Sequence, residues 1–132
     1  MYDLYFENFN KKIPLTTEEQ ELIKTYLSVK KLRKKQYLLQ AGDPCKIMAF
    51  VSKGALRSYT VDDNGVEHIV QFAVEDWFIS DSYSFYTGED ATYNIEAIED
   101  SELIIISKSA NDELLKQSPK YTAFMMDKIT AA

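Results

Sequence analysis

The chain has 132 residues, 45% of them hydrophobic and 27% charged, values that suit one globular core of ordinary size and leave no comfortable room for a second. No apolar run approaches the roughly 18 residues of a membrane span, and residues 1–12 show no basic stretch leading into an apolar one, so no secretory signal is visible and a cytoplasmic location is expected. A formal net charge of −6 argues against the domain itself gripping phosphate backbones. The single cysteine, Cys45, excludes an intrachain disulfide or a cysteine-ligated cluster and reads as an ordinary free thiol.

Tyr2, Phe6, Phe9 and Ile13 recur at helical spacing before Pro14. Leu22, Ile23, Tyr26 and Leu27 do so again after a cap at Thr16 or Thr17, with Glu19 or Gln20 placed to complete a capping box. Residues 1–28 are therefore expected to be two amphipathic helices that pack on the rest of the domain. Lys30-Lys31-Leu32-Arg33-Lys34-Lys35 is the one basic cluster. It reads better as a solvated strand edge, kept from pairing by its lysines, than as a nucleic-acid patch.

From 29 to 107 the texture changes to short runs rich in Val, Ile, Tyr, Phe and Thr, broken by Gly42-Asp43-Pro44, Lys53-Gly54, Asp62-Asp63-Asn64-Gly65 and Thr87-Gly88-Glu89-Asp90. Asn64-Gly65 can take the positive φ angles of a tight hairpin, which would pair Ala55–Val61 with Val66–Phe72. Tyr93, Ile95 and Ala97 alternate with polar residues, whereas Leu103–Ile106 is continuous enough to be buried on both faces. Strands this short and close suit a sandwich or closed roll. Helical period returns over 108–132, with Leu114 and Leu115 before Ser118-Pro119, then Tyr121, Phe124, Met125 and Ile129. Pro119 suits a first helical turn. Ala131-Ala132 carries no stop signal, so this helix is expected to run on.

The order helices, β-roll, helices resembles the cyclic-nucleotide-binding domain of catabolite-activator and fumarate/nitrate (Crp/Fnr-type) transcription regulators over nearly the whole chain. Leu39-Gln40-Ala41-Gly42-Asp43 is similar to the family's Gly-centred turn, and Ala49–Gly54 to the strand that ends in a hairpin-opening Gly. Glu75–Ser82 resembles the entry to the phosphate-binding cassette, Thr92–Ala97 the strand leaving it, and Ser118-Pro119 the break before the dimerisation helix. The resemblance implies a mainly β fold with flanking helices, a double-stranded β-helix or jelly-roll-like β-roll. It also implies a non-catalytic sensor domain that forms a homodimer through its C-terminal helix. DNA would be contacted only through a C-terminal domain absent from this chain.

The same resemblance implies that the cassette should present a Gly-Glu pair to the ribose and an Arg to the cyclic phosphate. Here Ser80 stands for the Gly, Asp81 for the Glu, and Ala91 for the Arg, with Glu89 and Asp90 just before it. No Lys or Arg occurs between Arg57 and Lys108, so the cavity is expected to lack any cation. A like charge about 4 Å away costs about 1 kcal/mol in water and about 4 kcal/mol at an effective dielectric of about 20. A lost charge-assisted contact adds about 1.5–3 kcal/mol, so a micromolar cyclic-nucleotide site would fall to millimolar. Phe72, Trp77, Ser80, Asp81, Ser82, Thr92 and Tyr93 are the candidate ligand-binding residues, suited to an unknown small neutral or cationic effector. The competing reading leaves the pocket vestigial, with Trp77 and Phe72 filling core and Asp81 capping a short helix.

A cupin-like metal site needs two or three His, and this chain has His68 alone. It is expected on the surface or satisfied in the core. With no Gly-x-Ser-x-Gly turn or Gly-rich phosphate loop, no enzyme, metal or cofactor is expected. A cupin-like small-molecule-binding domain, or a structural dimerisation module that senses nothing and has no DNA-binding role, remains the other reading.

Overall fold

The computed structural model describes residues 2–131. The side-chain packing expected of Ile129 and the helix expected to run past Ala132 lie outside what is described. Helix α1 is Asp3–Lys12 and α2 is Thr17–Lys24. Thr16, not Thr17, caps α2: its hydroxyl accepts from the Glu19 N–H while the Glu19 carboxylate accepts from the Thr16 N–H at 2.8 Å.

Eight strands follow: β1 (Ser28–Leu32), β2 (Tyr37–Leu39), β3 (Ile47–Lys53), β4 (Ala55–Val61), β5 (Glu67–Val74), β6 (Phe78–Ile79), β7 (Asn94–Ala97) and β8 (Ser101–Ser107). A short helix, α3 (Ser82–Thr87), interrupts them, and α4 (Lys108–Gln117) and α5 (Pro119–Ala131) close the chain. The strands form two four-stranded antiparallel sheets, ordered β1-β8-β3-β6 and β2-β7-β4-β5. The roll is open rather than a closed barrel, with edge strands β5 and β6 flanking one seam and β1 and β2 the other. Across the first seam, the Gln71 amide donates to the Phe78 carbonyl at 3.2 Å.

Packing follows from the sequence pattern. β8 lies between β1 and β3, which is why its Leu-Ile-Ile-Ile run is apolar without alternation: Leu103, Ile104 and Ile106 are buried. The helices cover the outer face of its sheet. Phe9 stacks on Phe124 with centroids 4.0 Å apart, Tyr5 meets Phe50 edge-on at 5.4 Å, and Phe124 meets Phe78 at 5.8 Å.

Three local expectations are corrected. In the β4–β5 turn only Gly65 takes a positive φ, at 80°, and Asn64 does not. The Asp62 carboxylate instead accepts from the Asn64 and Val66 N–H groups and from the exposed His68, so an aspartate-centred turn replaces the two-residue one. The His68 hydrogen bond holds the Asp62 carboxyl below its usual value. That contribution is present above the ordinary Asp range and lost as pH falls through the lower folded value. The pairing also starts one residue late, at Glu67, and a bulge at Ser58/Tyr59 adds one more, so β5 ends two residues past Phe72, at Val74. Finally, Trp77 and Phe72 do not fill core: they are 52% and 55% exposed, because each lies on or beside an edge of the roll.

Gly54, at φ 101°, joins β3 to β4 where an added Cβ would lie 2.2 Å from Ser101 Oγ and 2.8 Å from the Asp100 carbonyl oxygen. Gly42 has a similar φ, 97°, with open space around it. Gly54→Ala should cost at least about 3 kcal/mol and Gly42→Ala about 1 kcal/mol, since only the former adds a clash to the backbone strain. Equal losses in urea unfolding would contradict this packing.

Candidate functional site

The β5/β6 seam opens into a cavity of about 710 Å³, within the size range of small-molecule sites. β5 contributes Val70 and Gln71, and β6 contributes Phe78 and Ile79. The turn between these strands adds Asp76 and Trp77, and the start of the cassette adds Ser80, Asp81, Ser82 and Tyr83. Tyr93, Met48 and Lys128 complete the wall.

This wall is fastened at both ends. Asp76 holds the turn at φ 78°, a strained conformation for a non-glycine residue, while the Asn8 amide from α1 donates to its carboxylate at 2.9 Å and its carbonyl at 3.1 Å. Further on, the Ser80 hydroxyl donates to the Ile47 carbonyl at 3.0 Å and lies 3.4 Å from the Cys45 sulfur. Cys45 is buried and uses its thiol to donate to the same carbonyl.

Asp81 lines this end of the cavity. It is 3% exposed and is the N-cap of α3. Oδ1 accepts from the Ser84 N–H at 3.1 Å, and Oδ2 accepts from the N–H groups of Thr92 and Tyr93 at 2.9 and 3.3 Å. One buried carboxylate therefore satisfies the helix start and the approach to β7 together. The backbone donors that gather here are already turned onto an anion, and that anion is part of the chain.

Of the seven candidate residues, the structure brings Trp77, Ser80, Asp81, Ser82 and Tyr93 to the cavity. Thr92 does not line it and enters only through its N–H on Asp81. Phe72 does not line it either: it sits opposite Arg57 on the outer face of the second sheet, because its neighbours Gln71 and Ala73 take the inward positions. Glu89 and Asp90 are exposed and outside the cavity wall, and Ala91 is buried in backbone bonds with Asp43 and Gly42. The acidic residues that line the cavity are instead Asp76 and Asp81.

The expected absence of any cation is also overturned. Lys128 reaches the cavity from α5, outside the interval free of basic residues. Its ammonium lies 5.3 Å from the Phe78 ring centroid and 5.1 Å from that of Phe124, a cation–π position. The helical stripe Tyr121, Phe124, Met125 carried the signal, since Lys128 continues it one turn on. Among the described residues no cluster of three or more His, Cys, Asp and Glu side chains suited to a metal ion is present.

Residues 29–118 match the family described as the cyclic nucleotide-binding domain. The chain belongs to that family. As a cyclic-nucleotide-binding-type domain it is similar to the anaerobic regulatory protein of Pasteurella multocida, at 30% identity over 117 residues that cover 82% of this chain and 40% of that protein. It spans less than half the length of the curated relatives it matches. Its fold is shared with a cyclic nucleotide-binding domain from Methylobacillus flagellatus, at 17% identity and a TM-score of 0.84 over 98% of this chain and 74% of that one. The sensor domain of the transcriptional regulator DNR from Pseudomonas aeruginosa gives 19% identity and a TM-score of 0.77, covering 98% and 86%.

Asp81→Ala strands three N–H groups near the α3 start, and should cost about 2–4 kcal/mol. Asp81→Asn, which keeps one acceptor oxygen, should fall between this and wild type. Faster amide exchange at Ser84, Thr92 and Tyr93 should accompany the loss. An Asp81→Ala domain as stable as wild type would remove the staple from the account.

Proposed function

We propose that this domain is the sensor half of a Crp/Fnr-type transcription regulator, and that its cavity takes a small-molecule effector other than a cyclic nucleotide. The carrying observation is the engagement of Asp81 with Ser84, Thr92 and Tyr93. A cyclic phosphate entering beside this carboxylate would meet a buried negative charge and donors already committed to it. Lys128 does not rescue such binding, because its ammonium is held over two rings of the helix-packed face. The effector class stays neutral or cationic, and an aromatic or apolar body between Trp77, Phe78 and Tyr93 suits the wall.

The regulator reading extends what relatives' names say to this chain. Dimerisation through α5 and its continuation, DNA contact through a following domain, and a cytoplasmic location belong to the same proposal. No helix among the described residues is long and apolar enough to cross a membrane. The match to the cyclic nucleotide-binding family favours this reading over a cupin-like small-molecule-binding domain, and a cavity of about 710 Å³ favours it over a structural dimerisation module.

Thermal unfolding with ligand present tests the reading. Cyclic AMP up to millimolar concentration should leave Tm unchanged. An effector found among small metabolites should raise Tm with concentration, by the equivalent of about 2.7 kcal/mol at one hundred times its Kd, and should quench or shift the fluorescence of Trp77, the chain's one tryptophan. Stabilisation by micromolar cyclic AMP would overturn the proposal.

A further inference from the structure

We propose that the opposite seam of the roll, between β1 and β2, is a second binding site, for a small amphipathic carboxylate of the fatty-acid type. The groove there measures about 410 Å³. Leu39, Ile47 and Ile105 give it an apolar floor, and Lys30 and Lys46 stand at its rim beside Asp43.

The strand pattern explains this arrangement. On β1, Lys30 and Leu32 share a face, and Lys30 lies opposite Leu103 of β8. Because β1 is an edge, Lys30 stands where the space between the sheets meets solvent. Lys46 lines the groove from just before β3, whose first residue, Ile47, pairs with Ser107, two residues along β8 from Ile105.

Charge selects the occupant. Lys31 pairs with Glu102 at 3.7 Å, but no ion pair joins Lys30 or Lys46 to a carboxylate among the described residues. In a chain of net charge −6, two ammonium groups without an ion pair, against one carboxylate on the same rim, complement one negative head on an apolar tail. Asp43 on the same rim disfavours a doubly charged phosphate head. This groove and the effector cavity share no lining residue, so either site can fail without the other.

Amide NMR titration of the full chain with hexanoate, octanoate and decanoate tests the site. Shifts should concentrate at Lys30, Leu39, Ile47 and Ile105 and leave Trp77 fluorescence unchanged. Affinity should rise by up to about fourfold per added methylene, and octanol should bind at least about tenfold more weakly than octanoate. The K30Q/K46Q variant, altered only at exposed positions, should keep its circular dichroism and lose at least about tenfold in octanoate affinity, while K11Q/K12Q on α1 binds as wild type. Absence of shifts, shifts confined to Ser82, Tyr83 and Trp77, or undiminished binding by K30Q/K46Q would each overturn the proposal.

Discussion

The Asp81 carboxylate and the three backbone N–H groups it holds tie the fold to its function. A buried carboxylate is tolerable only when its oxygens are satisfied, and here the partners come from α3 and from the residues entering β7. Without it the cassette would carry unpaired donors. With it, those donors are paired within the chain. The same interaction stabilises the domain and, in the function proposed above, narrows the ligands it recognises.

Around that point the roll is built as two sheets with open seams. The β5/β6 seam is bridged by Gln71 and mouthed by Trp77, and α5 lies beside it through Lys128. α5 itself is anchored by Phe9 on Phe124 and by the buried Tyr121, whose hydroxyl donates to Asn111 at 2.5 Å and is pushed up in pKa by burial. An effector that displaces Lys128 from Phe78 and Phe124 acts on a helix whose other contacts are fixed. A ligand can shift such a helix only by its differential affinity for the two arrangements.

Much of this was legible in the sequence, for physical reasons. Element type was carried by strong periodicities, as in the α1 stripe with Phe6 and Phe9 and the unbroken Leu103–Ile106 run. The cap on the short helix was legible because Asp before Ser-Tyr-Ser is an N-cap signal. What failed was the side-chain environment. Phe72 and Trp77 read as core because large aromatics usually are, but their exposure depends on which strands form edges, which no local pattern encodes. Lys128 lies outside the Arg57–Lys108 interval that carries no basic residue, and only the packing of α5 on the sheet brings it from far along the chain to the cavity. Glu89 and Asp90 stand near the ligand only in the family resemblance, and the turn after α3 carries them into solvent.

The most direct test of the central claim is the amide NMR spectrum of the wild-type domain during a cyclic AMP titration. The resonances of Ser84, Thr92 and Tyr93 should stay in place to millimolar nucleotide, because Asp81 keeps those N–H groups. If all three move together and saturate at micromolar nucleotide, a phosphate has taken the place assigned to Asp81 and the account is wrong.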